Sequence, residues 1–123
     1  MGNPVLWFEV VGKDGKKLRQ FYRKLFDWKI TEAASGSDMD YGMVDAAPGG
    51  VPGGIGTSPD GGSGFATFYV EVDDPAAFLA KAEKLGGKTI LPVTEIPSYN
   101  LTFAYFSDPE GHVIGLSKGM ARS

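Results

Sequence analysis

Residues 8–30, FEVVGKDGKKLRQFYRKLFDWKI, and residues 70–90, VEVDDPAAFLAKAEKLGGKTI, are built to one plan. Each opens with an alternating strand that ends in an acidic, turn-prone segment. Each runs on into a helix with apolar residues at helical spacing, then closes on Lys-rich turn chemistry before an Ile. Matching the letters sets Glu9 against Glu71 at an offset of 62 and Ile30 against Ile90 at an offset of 60, so the first loop reads as slightly the longer. A repeat of this kind constrains the fold more than any other feature, because one unit alone cannot bury its apolar face. A fainter repeat follows: YGMVD at 41–45 answers YFSD at 105–108, and Gly54-Ile55-Gly56 answers Val113-Ile114-Gly115. Each unit therefore reads as a strand, a helix and two or three further strands. The expectation is a single α+β domain of two tandem βαβββ modules, residues 1–60 and 65–123, with a Gly-rich linker between them. Roughly 60 residues bury little surface alone, whereas two such units reach the size of a stable small domain.

Charge and composition remove several classes of function. The net charge of −3, with no Lys/Arg-rich stripe, argues against nucleic acid as a partner. The basic residues at 13, 16, 17, 19, 23 and 24 are assigned to the exposed face of the first helix. With no cysteine there is no disulfide, thiolate metal site or nucleophilic thiol. The start, MGNPVLWFEV, lacks a charged segment followed by a long apolar run, so it does not read as a signal peptide. No apolar stretch approaches the roughly 20 residues that span a bilayer. A cytoplasmic location and no membrane partner are the expectations.

Strand alternation separates two faces. Phe8 and Val10 in the first module, and Phe68, Val70 and Val72 in the second, form apolar faces expected to meet the helices. The helices offer Leu18, Phe21, Tyr22 and Leu25, and Phe78, Leu79, Ala82 and Leu85, at 3–4 spacing. Asp74 before Pro75 is an N-cap, and Gly86-Gly87 is a helix stop. The opposite strand face carries Trp7, Glu9, Thr67, Tyr69 and Glu71. Aromatics mixed with a few polar groups are what small-molecule sites present. Tyr41, Tyr99 and Tyr105 are the further candidates for flanking such a ligand.

These segments resemble the vicinal oxygen chelate superfamily, which includes glyoxalase I, bleomycin-resistance proteins and extradiol dioxygenases. The resemblance rests on WFEVVGKDGKKLRQFYRKLFDWKI at 7–30, GGIG at 53–56, FYVEVDDPAAFLAKAEKLGGKTILP at 68–92 and FAYFSDPEGHVIGLSK at 103–118. It implies curved sheets around a concave cleft, a small-molecule ligand, and a homodimer as the expected assembly. Metal-using members take a ligand from the first strand of each module and a glutamate from the last, in a pattern like DPxGxxIEL. Here that pattern reads DPEGHVIGL, which puts Gly115 at the glutamate. The letter repeat puts Gly56 at the corresponding place in the first module. The first-strand ligand falls on Val5 or Trp7 and on Thr67. A divalent ion needs roughly three protein donors, so no metal and no cofactor are expected.

His112, the only histidine, reads as a turn residue, and the spacing of Glu9, Glu71 and Glu95 does not demand a cation. The run GGVPGGIGTSPDGGSG at 49–64 lacks a Gly-Lys-Ser/Thr ending and a following helix, so it reads as a short strand around Ile55 and a linker. No G-x-S-x-G elbow exists. Three functions are compatible with the residues. The first is a metal-independent binder of a cationic or aromatic small molecule, using cation–π contact and ion pairing. The second is a lyase, isomerase or dioxygenase-type enzyme with Glu9 or Glu71 as general base and Tyr69 as hydrogen-bond donor, or with an unorthodox metal site. The third is an interaction module with no small ligand.

Overall fold

The computed structural model describes residues 2–32, 40–58, 61–97 and 100–119. Trp7–Ala66 form one compact unit, and Met1–Leu6 with Thr67–Arg122 form the other. In chain order the elements are β1 (Val5–Gly12), α1 (Gly15–Phe26), β2 (Ile30–Glu32), β3 (Tyr41–Val44), β4 (Gly53–Thr57), β5 (Phe65–Glu71), α2 (Pro75–Lys84), β6 (Lys88–Ile96), β7 (Leu101–Ser107) and β8 (Val113–Lys118). This is the βαβββ plan twice. In the first unit β1 runs parallel to β4, and β4–β3 and β3–β2 are antiparallel. In the second, β5 runs parallel to β8, and β8–β7 and β7–β6 are antiparallel. No helix among the described residues is long and apolar enough to cross a membrane.

Helix caps fix the true repeat. Asp14 caps α1 by accepting from the Lys17 amide, and Asp74 caps α2 by accepting from the Ala77 amide. These caps lie 60 residues apart, as do Ile30 and Ile90, so β1 and β5 also align at 60. The first loop is not the longer one, because β1 ends at Gly12 and β5 at Glu71, each just before its cap. Glu9 is therefore the counterpart of Tyr69, and Glu71 that of Val11. The shared letters at Glu9 and Glu71 are a coincidence of composition that the hydrogen-bonded register overrides.

The two helices bury different stripes. In α2 the expected apolar positions hold: Leu79 joins Val72, Ala104 and Leu116 in the core, with Val70, Phe78 and Phe106 packed against them. Leu85, expected to be buried, is 70% exposed beyond the helix end. In α1 the covered positions are Gly15, Leu18, Arg19, Tyr22 and Arg23, while Phe21 and Leu25 are exposed. The helix is thus turned by about one residue from the expected orientation, and Arg19 occupies the place that Leu79 holds in the second module. Its burial corrects its assignment to the solvent face. Glycine makes the room: a Cβ on Gly42 would run into the Arg19 side chain and Ile30.

Candidate functional site

On the first unit's strand face, three side chains expected at the site come together. The Trp7 indole Nε1–H donates to the Tyr41 hydroxyl at 3.2 Å, and that hydroxyl donates to Glu9 Oε2 at 2.9 Å. One tyrosine oxygen thus joins the indole to the carboxylate. The floor beneath is glycine. A Cβ on Gly54 would collide with the Tyr41 hydroxyl and ring, and one on Gly56 would lie 2.6 Å from Tyr41 Cδ1. Glu9 stands opposite Gly54 across β1–β4, and Met43 stands opposite it across β3–β4. The aromatic ring lies flat on the sheet only because β4 offers no side chains at these two positions.

The second unit repeats the device with different partners. Gly115 is flanked by Tyr69 on β5 and Tyr105 on β7. The two tyrosine hydroxyls are hydrogen-bonded to each other, and their rings are 5.6 Å apart. A Cβ on Gly115 would collide with the Tyr69 ring. By strand pairing, then, Gly115 corresponds to Gly54 rather than to Gly56, and Tyr105 to Met43 rather than to Tyr41. Thr67 is buried, and its hydroxyl donates to the Val113 carbonyl at 2.6 Å. Tyr69 is also buried, while Glu71 is half-buried, with its amide donating to the Pro4 carbonyl. Tyr99 lies outside the described residues. His112 is exposed in the β7–β8 turn with Nδ1 3.0 Å from Asp108 Oδ2, as a turn residue should be.

A charged network behind β4 escaped the sequence reading. Arg19 is 1% exposed and makes four contacts: Nε to Glu32 Oε2 (3.0 Å), NH1 to the Ile55 carbonyl (3.1 Å), and NH2 to Asp40 Oδ1 (2.7 Å) and Glu32 Oε1 (2.8 Å). Arg23 adds a second cation, 2.9 Å from Glu32. Burial alone would lower the Arg19 pKa, but the hydrogen bonds and charges of Glu32 and Asp40 prevail and raise it. Arg19 and then Arg23 hold Glu32 below the usual carboxylate range. For Asp40 the larger cause is the Thr57 hydroxyl, with Arg19 next. Small residues at Gly42 and along GGIGT were the signal available for this network.

Residues 5–116 match the Glyoxalase/Bleomycin resistance protein/Dioxygenase superfamily. The chain belongs to this superfamily. A glyoxylase-like domain-containing protein of Didymella fabae is 31% identical over 111 residues, covering 85% of this chain and 84% of that one. Among solved structures, a Streptomyces coelicolor methylmalonyl-CoA epimerase in complex with 2-nitronate-propionyl-CoA superposes with a TM-score of 0.65 at 15% identity, over 97% of this chain and 99% of the epimerase. A hypothetical protein of Bacillus halodurans gives a TM-score of 0.69 at 11% identity over 100% and 99% of the two chains. The Mn(II)-bound glyoxalase of Novosphingobium aromaticivorans gives 0.65 at 15% identity, over 95% of this chain and 38% of that longer one. At these identities the structures show the shared fold.

The superfamily implies a metal, and the residues here do not fit one. Both glutamate positions are glycines covered by tyrosine rings. Of the first-strand positions, Trp7 has no donor atom for a cation, and the Thr67 hydroxyl is committed to a backbone carbonyl. Among the described residues no three His, Cys, Asp or Glu side chains gather as a cation would require.

Proposed function

We propose that this superfamily member binds a small aromatic cation on the strand face of its first module. The observation that carries the reading is the Trp7–Tyr41–Glu9 chain of hydrogen bonds laid over Gly54 and Gly56. It supplies an indole face for cation–π contact and a carboxylate held in place by a tyrosine hydroxyl. Both lie where a metal chelate would otherwise be built. A fixed carboxylate beside an aromatic plane recognises a quaternary or protonated amine on a flat ring system by charge and by stacking, with little ordering left to do on binding. Tyr69, Tyr105 and Thr67, already tied to one another or to the backbone, serve the second module's own packing.

The test is a titration of the ¹⁵N-labelled protein with benzyltrimethylammonium, read at the two tryptophan indole N–H resonances. The Trp7 signal should shift saturably and the Trp28 signal should not, and Glu9→Gln should remove the effect. Equal shifts at both indoles, or an unchanged isotherm in Glu9→Gln, would sink the proposal. The same reading expects a homodimer, which light scattering would report as twice the 13.1 kDa chain.

A further inference from the structure

The two modules pack the space between helix and sheet in different ways. In the first, Trp28 fills it, 5.4 Å from the Phe8 ring, 5.6 Å from the Tyr22 ring and 5.0 Å from the Phe26 ring. The 60-residue repeat fixed by the caps puts Ala82 at the place of Tyr22 and Lys88 at that of Trp28. Two large rings are thereby absent from the second module, while Phe78 at the place of Leu18 and Phe106 at that of Val44 take up part of their space. Between α2 and the strands β5, β7 and β8 there remains an apolar cavity of about 350 Å³ walled by Val70, Val72, Phe78, Phe106 and Leu116. A volume of this size falls in the range of ligand pockets.

We infer that this cavity is a second binding site, on the helix side of the sheet, for a medium-chain fatty carboxylate. Its walls are almost wholly apolar, so the buried part of the ligand is hydrocarbon. A chain carbon needs roughly the 30 Å³ of a water, so about ten carbons fill the space. The charge at its edge selects the head group. Lys81 lines the cavity and makes no ion pair among the described residues. Asp108 also lines the cavity, and its carboxylate accepts from the Glu110 and His112 amides and meets the His112 ring at 2.9–3.0 Å. Of the two charges at the edge, only the Lys81 ammonium has no ion-pair partner among the described residues, and it is the complement of a carboxylate. Exposed Leu85 forms the lip over which the chain would enter.

The experiment is isothermal titration of the full chain with decanoate and with decanol. Decanoate should bind one per chain and more tightly than decanol by about three-fold, the size of a solvent-screened ion pair, and Lys81→Met should erase that difference. Ala82→Tyr restores the ring that the first module uses and should abolish binding. Leu85→Asp, at an exposed position that folding tolerates, should weaken decanoate binding by about three-fold by placing a like charge at the mouth. No binding of decanoate by the wild type overturns the proposal, as does binding left unchanged by both Ala82→Tyr and Leu85→Asp. Equal affinity for decanoate and decanol overturns the assignment of an anionic ligand.

Discussion

Replacing Arg19 by methionine tests whether the first module is centred on an ion network. Methionine keeps the unbranched stem that threads past Gly42 and removes only the guanidinium. Three acceptors each lose a donor: Glu32, which keeps Arg23; Asp40, which keeps the Thr57 hydroxyl; and the Ile55 carbonyl. The two carboxylates are about half exposed, at 51% and 48%, so water takes over part of what Arg19 supplied. Each of those pairs is therefore counted near the solvent-screened value of about 0.5–1 kcal/mol. The carbonyl of Ile55, a residue with no exposure, adds about 1–1.5 kcal/mol for a lost hydrogen bond. Against this, a buried thioether recovers roughly 1 kcal/mol of transfer free energy. The expected net loss is about 1–2.5 kcal/mol at neutral pH. Arg19→Ala, which also leaves a void, should cost about 3–4 kcal/mol.

Acid makes the test specific. Glu32 and Asp40 titrate below their ordinary values of 4.5 and 3.8 in the folded chain. A carboxylate with a depressed folded pKa stabilises above its unfolded pKa, and that contribution is lost as pH falls through the folded value. The wild type should therefore be more stable than Arg19→Met by its full margin at pH 7. The margin should begin to shrink below about pH 4.5 and go on shrinking as pH falls through the two folded-state values. Urea unfolding of both proteins at pH 7, 4 and 3 measures it. A variant as stable as the wild type at pH 7, or a gap that stays constant down to pH 3, would refute the network's role.

Three shorter predictions bear on the strand face. Gly54→Ala should push the Tyr41 ring off the sheet, break both of its hydrogen bonds and destabilise by about 1–3 kcal/mol, with the Trp7 indole N–H signal moving toward its solvent-exposed position. Tyr41→Phe keeps the ring and removes the bridging hydroxyl; it should cost about 1 kcal/mol in urea unfolding and at least several-fold in benzyltrimethylammonium affinity. Gly115→Glu, which restores the superfamily's ligand letter, should lower stability by about 2 kcal/mol through overpacking against Tyr69 and should give no thermal shift with Mn²⁺, Ni²⁺ or Zn²⁺.

Most of the architecture was legible because it rests on short-range signals. The strands at 5–10 and 67–72, the Asp74-Pro75 cap and the Gly86-Gly87 stop are each decided within a few residues and appear where expected, although Phe68, assigned to the covered face, is exposed while Thr67 and Tyr69 opposite it are buried. What stayed hidden depends on pairing across the chain. Arg19 sits among charged neighbours and reads as solvent-facing; only Gly42, more than twenty residues away, makes its burial possible. Glu9 and Glu71 look equivalent by letter, but register is set by the strand each one pairs with. Trp7, Glu9 and Tyr41 were all named as candidates, yet the hydrogen bonds that order them as indole, hydroxyl and carboxylate could not be read from spacing.

Glycine at the positions where metal-using members carry a glutamate does more than leave out a ligand. A glutamate replaced by a small side chain would leave a gap that a single reversion could refill. Here each gap has been closed by an aromatic ring from a neighbouring strand, Tyr41 over Gly54 and Tyr69 over Gly115, and each ring carries its own hydroxyl partner. The two changes now depend on one another. The ring needs the glycine to lie flat, and any side chain at the glycine must first displace the ring. Building a metal site here would require the tyrosine and the glycine to change together in each module, along with new donors at Trp7 and Thr67. Selection acting on single substitutions meets a loss of stability at the first step. This interdependence keeps the strand face aromatic and carboxylate-bearing, and it is the ground on which a flat cation is proposed as the ligand.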